Sequence, residues 1–146
     1  MIEDLYRSAG HLVRRAHQIH DTIFAEETAG YDVTSPQYAA LRAVAEQPGI
    51  EQTALSDAIA YDRSTIGGLV DRLEAKGLMR REAGTRDRRT KQLTLTPAGS
   101  KLLRELQKRV PSVQQRMLAP LSPPEQATFT ALLERVVDLA LAGVAS

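Results

Sequence analysis

One change of periodicity constrains this chain more than any other feature. Up to Gly77 and again from Pro97 apolar residues recur at helical spacing. Between them, Leu78-Met79-Arg80-Arg81-Glu82 and Lys91-Gln92-Leu93-Thr94-Leu95-Thr96 read as two short strands, with Leu93 and Leu95 alternating. The loop Ala83 to Thr90 makes them a hairpin. A lone hairpin is at best marginally stable in water, so this one must rest on the helices that bracket it. With 146 residues, 42% of them apolar, there is room for one domain with an accessory helical layer but not for two independent domains.

The helices are delimited by their own caps. Ile2 to Phe24 carries Leu5, Ala9, Leu12, Val13, Ala16, Ile19 and Ile23 on one stripe, which predicts a single long amphipathic helix. Ser35-Pro36 predicts an N-cap with proline at the first helical position, opening a helix that stops near Pro48-Gly49. A short helix follows over about Glu51 to Ile59, and another opens near Asp62 and runs to Lys76 with Gly77 as its cap. After the hairpin, Thr96-Pro97 launches a helix carrying Leu102, Leu103, Leu106, Val110 and Val113, bent at Pro111. Ser122-Pro123-Pro124-Glu125 is a capping box for the last helix, through Leu132, Leu133, Val136 and Val137 to about Leu141.

Net charge is +1, but it is unevenly distributed. From Arg63 to Arg109 there are 13 Lys or Arg against five Asp or Glu, while the rest of the chain carries six against 13. A basic middle between acidic ends suits a surface that meets a polyanion. The competing explanation is a set of solvated helix faces. The chain has no cysteine, which excludes disulfide scaffolds, thiolate metal sites and thiol nucleophiles. It also lacks a glycine-rich phosphate loop, a nucleophile elbow and a carboxylate–histidine constellation, so no enzyme activity and no cofactor are expected. The acidic start Met-Ile-Glu-Asp is unlike a signal peptide, and the longest apolar run, near Leu139 to Ala145, is too short for a membrane helix, so a soluble cytoplasmic protein is expected.

Three short helices followed by a hairpin form a winged helix-turn-helix, so the fold expected is mainly α, with a two-stranded β wing and an added helical region. In the helix opening at Asp62, the inward stripe Ile66, Leu69, Val70 and Leu73 leaves Ser64, Gly68, Asp71, Arg72 and Ala75 on the face that would enter a major groove. Arg63 and Lys76 edge that face, and Ser64 and Thr65 lie in the first turn, where hydroxyls and free amides reach phosphate. The hairpin tip, Gly84-Thr85-Arg86-Asp87-Arg88-Arg89-Thr90-Lys91, holds four cations and one carboxylate. Such a loop can lay a guanidinium in a minor groove while the neighbouring carboxylate holds it in place. The contacts expected with double-stranded DNA are therefore Arg63, Ser64, Thr65, Gly68, Arg72, Arg86, Asp87, Arg88 and Arg89. A winged-helix module that docks its wing on acidic proteins is the alternative from another class.

The segments Asp62-Arg63-Ser64-Thr65, Leu69-Val70-Asp71-Arg72-Leu73-Glu74 with Gly77-Leu78, Asp87-Arg88-Arg89, and Leu93-Thr94-Leu95-Thr96-Pro97-Ala98-Gly99 resemble the multiple antibiotic resistance regulator (MarR) family. The motifs cover Asp62 to Gly99, and helix order and length agree over essentially the whole chain. The resemblance implies a single domain over 1–146, with a DNA-binding lobe at 35–99 and a helical dimerisation region at 1–34 and 100–146. It implies a homodimer on a pseudo-palindromic operator, usually a repressor released by a small ligand, with Arg89 entering the minor groove and Asp87 bracing it. The chain departs from the family at Gly67-Gly68, where polar or basic residues are common. Two glycines inside a helix cost about 1 kcal/mol each relative to alanine, and fewer direct base contacts are expected there. Dimerisation is expected through Leu102, Leu106, Val110 and Val113 with Leu132, Leu133, Val136 and Val137, more apolar helical surface than one domain needs.

In the family, effectors commonly sit where the first, second and fifth helices meet, and many are phenols or aromatic carboxylates. Arg15 and His20 on the first helix, with Tyr38 and Arg42 at i, i+4 on the second, suit a small aromatic acid. His20 is otherwise a core histidine and the arginines surface ion-pair partners. All three histidines, His11, His17 and His20, fall in the first helix, and Asp21 lies beside His20. Around the wheel His11 points about 140° away from the stripe on the other side, so at most two histidines could share an ion within one chain. No metal ligand is assigned, and a metal-responsive regulator stays an alternative.

Overall fold

The N-terminal amphipathic segment is two helices rather than one. The computed structural model describes the backbone of residues 1–145 and the side chains of residues 1–138, and it places α1 at Ile2–Arg7 and α2 at Ala9–Glu27. Ser8 interrupts them: its backbone is extended and its hydroxyl accepts from the His11 N–H, an N-cap inside a stripe that otherwise runs on unbroken. The apolar stripe is also less buried than expected. Ile23 joins the core together with Phe24, outside the stripe, whereas Leu5, Leu12, Val13 and Ile19 are exposed.

Helix α3 (Ser35–Glu46) is capped by Thr34 instead of Ser35, in a reciprocal box with Gln37, which moves Pro36 into the first turn. A strand the periodicity did not reveal, β1 (Ile50–Glu51), precedes α4 (Gln52–Ala58), and α5 (Arg63–Ala75) follows. The hairpin strands are β2 (Met79–Ala83) and β3 (Lys91–Leu95), and the antiparallel sheet has order β1-β3-β2, with Ile50 opposite Leu93 and Arg81 opposite Leu93 on the other side. The expected two-stranded wing is thus the outer part of a three-stranded sheet. α6 spans Pro97–Gln107 and α7 Val110–Leu118, so the predicted bend at Pro111 is a full break at Lys108 and Arg109, with Pro111 in the first turn of the new helix. α8 runs over Pro123–Ala145 behind the predicted box, in which Ser122 and Glu125 exchange backbone N–H bonds at 2.8 and 3.3 Å. The apolar run from Leu139 falls outside the described side chains. No helix among the described residues is long and apolar enough to cross a membrane.

One continuous core joins the lobe to the outer helices. Leu41, Val44, Leu55, Ile66, Val70, Leu73 and Leu93 are fully buried beside Leu106 and Val113. Leu106 and Val113 are therefore spent inside the protomer, which removes those two from the predicted intersubunit surface, while Leu102 and Val110 are half-buried against the same core. The apolar surface left exposed belongs instead to α1, α2 and α8, at Leu5, Leu12, Val13, Ile19, Leu132, Val136 and Val137. Arg116 ties α7 to α2 through Glu26 and Glu27. The lobe meets α6 at a tight junction, where the Thr96 N–H donates to the Leu78 carbonyl at 3.1 Å and its hydroxyl to the Gly77 carbonyl at 2.6 Å.

Candidate nucleic-acid interface and effector groove

The recognition helix is built as its sequence prescribes. Ile66, Leu69, Val70 and Leu73 are buried, and Arg63, Ser64, Thr65, Asp71, Arg72 and Ala75 are exposed opposite them. Asp62 caps the helix, accepting from the Thr65 backbone N–H at 2.7 Å and from its hydroxyl at 3.0 Å. Those two bonds hold the Asp62 carboxyl below the usual carboxylate range. Gly67 and Gly68 are half-buried: a Cβ on Gly67 would sit 3.8 Å from Gln52 Nε2, and one on Gly68 would sit 3.9 Å from the Arg72 guanidinium, which lies along the helix.

At the hairpin tip Asp87 Oδ1 accepts from the Arg89 backbone N–H at 2.9 Å and from its Nε–H at 3.2 Å, while Oδ2 accepts from Nη2 at 3.4 Å. Donation by the Arg89 amide, then by its guanidinium, lowers the Asp87 carboxyl. Asp87 thus holds Arg89 by both its amide and its guanidinium, and the arginine side chain stays 91% exposed at the tip. The tip closes on itself, Thr90 donating its N–H and hydroxyl to the Asp87 carbonyl. Gly84 makes this closure possible, because a Cβ there would fall 2.2 Å from Thr90 Oγ1 and 2.6 Å from the Asp87 carbonyl oxygen. Arg86 and Arg88 are exposed on the same loop.

Two basic residues of the middle segment have other work. Lys76 does not edge the groove-reading face: its Nζ donates to the Asp32 carbonyl at 2.6 Å and to Gln37 Oε1 at 3.3 Å, anchoring the end of α5 to the α2–α3 loop. Arg81, absent from the sequence-derived set, reaches from β2 to the recognition helix, pairing with Asp71 and with Glu74 at 3.4 Å and donating to Gln52 Oε1 at 3.1 Å. Asp71 above all, with Glu74, keeps the Arg81 guanidinium more firmly protonated than an isolated arginine. The alternation of β2 carries the signal for it, since Arg81 shares a face with buried Met79.

The four residues expected around an effector are only partly brought together. Tyr38 is buried on α3, and the exposed Arg42 guanidinium beside it is held charged chiefly by Glu46, 3.2 Å away, and then by the Tyr38 hydroxyl. His20 reaches Tyr38 through Phe24, with ring centroids 6.3 Å from His20 to Phe24 and 5.8 Å from Phe24 to Tyr38. His20 lines a groove of about 400 Å³ between α2, α7 and α8, walled by Leu12, Ala16, Met117, Phe129 and Leu133 and within the size range of small-molecule sites. Arg15 is exposed, bonds Gln18 at 3.4 Å, and opens on a separate groove with Ile19 and Ile23. His20 is thus neither a buried core histidine nor in contact with Arg15 among the described residues.

Comparison with known proteins bears on both surfaces. The MarR family model matches residues 33–91. Transcriptional regulator HosA of Escherichia coli O157:H7 is 36% identical over 134 residues, which is 92% of this chain and 98% of HosA. The PcaV transcriptional regulator from Streptomyces coelicolor, solved in complex with its natural ligand, superposes with a TM-score of 0.85 at 38% identity, covering 93% of this chain and 96% of that one. BpsR of Bordetella bronchiseptica, whose DNA binding is regulated by 6-hydroxynicotinic acid, superposes with a TM-score of 0.85 at 31% identity, covering 91% of this chain and 95% of that one.

Proposed function

The chain belongs to the MarR family of transcriptional regulators, which are not enzymes, and on that premise we propose that it is a homodimeric cytoplasmic repressor of a pseudo-palindromic operator, released by a small hydroxylated aromatic or heteroaromatic carboxylate. The observation that carries the DNA half is the wing, where Asp87 fixes an outward Arg89 beside a recognition helix whose first turn is capped and basic. Arg63, Ser64, Thr65, Gly68 and Arg72 face the major groove in this reading, Arg89 enters the minor groove, and Arg86 and Arg88 meet phosphates. The dimer forms through the exposed apolar faces of α1, α2 and α8, outside the lobe at 35–99.

Release rests on the aromatic relay from His20 through Phe24 to Tyr38, which ends beside Arg42 and links the groove on α2 to the helix that enters the lobe. An anionic ring seated on His20, with Arg15 swinging in from its neighbouring groove and Tyr38 and Arg42 closing the far end of the relay, would favour a dimer whose recognition helices no longer match half-sites about 34–36 Å apart. The regulation of BpsR by a hydroxylated heteroaromatic acid supports that ligand class. The test measures binding to a duplex selected from a random pool, with and without 6-hydroxynicotinic acid and related hydroxybenzoates. Arg15→Ala and Arg42→Ala should each bind DNA within a few-fold of the parent and resist release. Variants that lose DNA affinity yet release normally would place both arginines on the DNA surface and overturn the effector site.

A further inference from the structure

We propose that His17, His20 and Asp21 form a binding site for a divalent transition-metal ion of the zinc class. This site shares His20 with the proposed effector site but none of the DNA-binding residues, and it does not depend on the operator reading. One ring nitrogen each of His17 and His20 and an Asp21 carboxylate oxygen all lie within 4.8 Å of one another. The i, i+3, i+4 spacing puts the three on one face of α2. Asp21 stands between the imidazoles, with Oδ2 3.3 Å from His17 Nε2 and Oδ1 3.3 Å from His20 Nδ1. Each separation, one to each carboxylate oxygen, is about the edge length of a tetrahedron whose metal–ligand bonds are about 2.0–2.1 Å. The two rings are nearly parallel, 16° apart with centroids 6.1 Å from each other, so closing three ligands on one ion requires both imidazoles to tilt toward Asp21, which their exposed and half-buried positions allow.

The chemistry of the donors selects the ion. Two neutral imidazole nitrogens and one carboxylate suit zinc, cobalt, nickel or copper, whereas magnesium and calcium require a shell of oxygens. A cation between these groups takes a lone pair from each. Access is open, since His17 and Asp21 are exposed, and His20 is half-buried at the edge of the α2–α7–α8 groove. His11 takes no part, its ring packing on Tyr6 instead. Three protein ligands leave a fourth position on a tetrahedral ion for water or an anionic oxygen.

The full chain, freed of metal by chelation, is titrated with zinc chloride in a non-coordinating buffer by calorimetry, and with cobalt chloride by visible absorption. About one ion should bind per chain, with the intense visible bands of tetrahedral cobalt, and magnesium should give no saturable heat. His17→Ala, His20→Ala and Asp21→Asn should each weaken zinc binding by at least about 10–100-fold, while His11→Ala leaves it unchanged. Circular dichroism of each variant confirms that α2 is intact, as expected for these solvent-accessible positions. Failure of the parent chain to bind zinc at micromolar concentration would overturn the proposal, as would binding that survives the His17→Ala/His20→Ala pair. DNA affinity is not a readout, so failure of the operator reading leaves this result distinct.

Discussion

The junction between lobe and outer helices should make one substitution act with opposite sign at two glycines. Gly99 lies in the first turn of α6, where a Cβ would fall 2.0 Å from the Leu78 carbonyl oxygen and 2.9 Å from its carbon. Cβ atoms do not approach within 3.0 Å, so Gly99→Ala must part α6 from Leu78, the residue before β2, by about 1 Å. Overpacking of that kind costs roughly 1–3 kcal/mol. The shift also stretches the two bonds from Thr96 to Leu78 and Gly77, at about 1 kcal/mol each. Better helix propensity offsets about 1 kcal/mol, leaving a net loss of about 2–4 kcal/mol. At about 2–4 °C per kcal/mol the Tm should drop by roughly 5–15 °C, measured at fixed protomer concentration because dimerisation also sets Tm. Gly67→Ala meets nothing closer than Gln52 Nε2 at 3.8 Å, so it should stabilise by up to about 1 kcal/mol. If Gly99→Ala melts with the parent, or if both variants move the same way, the close approach does not constrain the junction and the reasoning is wrong.

On the wing, Arg89→Ala should weaken operator binding by about 1–3 kcal/mol, whereas Arg86→Ala should chiefly reduce the salt slope by about one unit; fluorescence anisotropy across a salt series separates the two. Arg81→Ala should release Asp71 and Glu74 on the DNA-facing helix and cost on the order of 1 kcal/mol of DNA affinity, most of it recovered by adding Asp71→Asn; no recovery would mean that Arg81 itself touches DNA. The Asp62 and Asp87 carboxyls are both lowered in the folded state, so their bonds are fully made above the unfolded value of about 3.9 and are lost as pH falls through the lower folded value. The Thr65 and Arg89 amide resonances should therefore hold steady from about pH 5 upward and titrate with midpoints below about 3.9, and a midpoint at or above that value would contradict the capping geometry.

Features that depend on neighbours in sequence were readable in advance. The caps at Asp62, Thr96 and Ser122 and the Asp87–Arg89 brace span three residues or fewer, so composition and spacing reveal them directly. Ser8 escaped notice because the apolar positions continue across it from Leu5 to Leu12, and periodicity does not register a cap that leaves the stripe in phase. β1 escaped because two residues are too few to alternate; only its partner, Leu93, makes it a strand. The remaining misses concern destination. Lys76 is spent on Asp32 and Gln37, 44 and 39 positions away, and a count of basic residues cannot know this. Leu106 and Leu132 look equivalent on a helical wheel, yet the first is buried at home and the second is exposed.

The same distinction between local pattern and destination explains why charge segregation points to a polyanion more firmly once the partners are known. Arg81 and Lys76 lie in the basic segment, but both are neutralised within the fold and only hold the recognition helix in place, one against the wing and the other against the α2–α3 loop. Arg63, Arg72, Arg86 and Arg88 stay exposed, and Arg89 stays exposed although Asp87 orients it. An arrangement selected only to keep a surface solvated has no reason to separate its cations in this way. A surface that must present charge to a groove in fixed register does, because the helix and the wing have to be locked together before the free guanidinium groups can match phosphates and base edges at once.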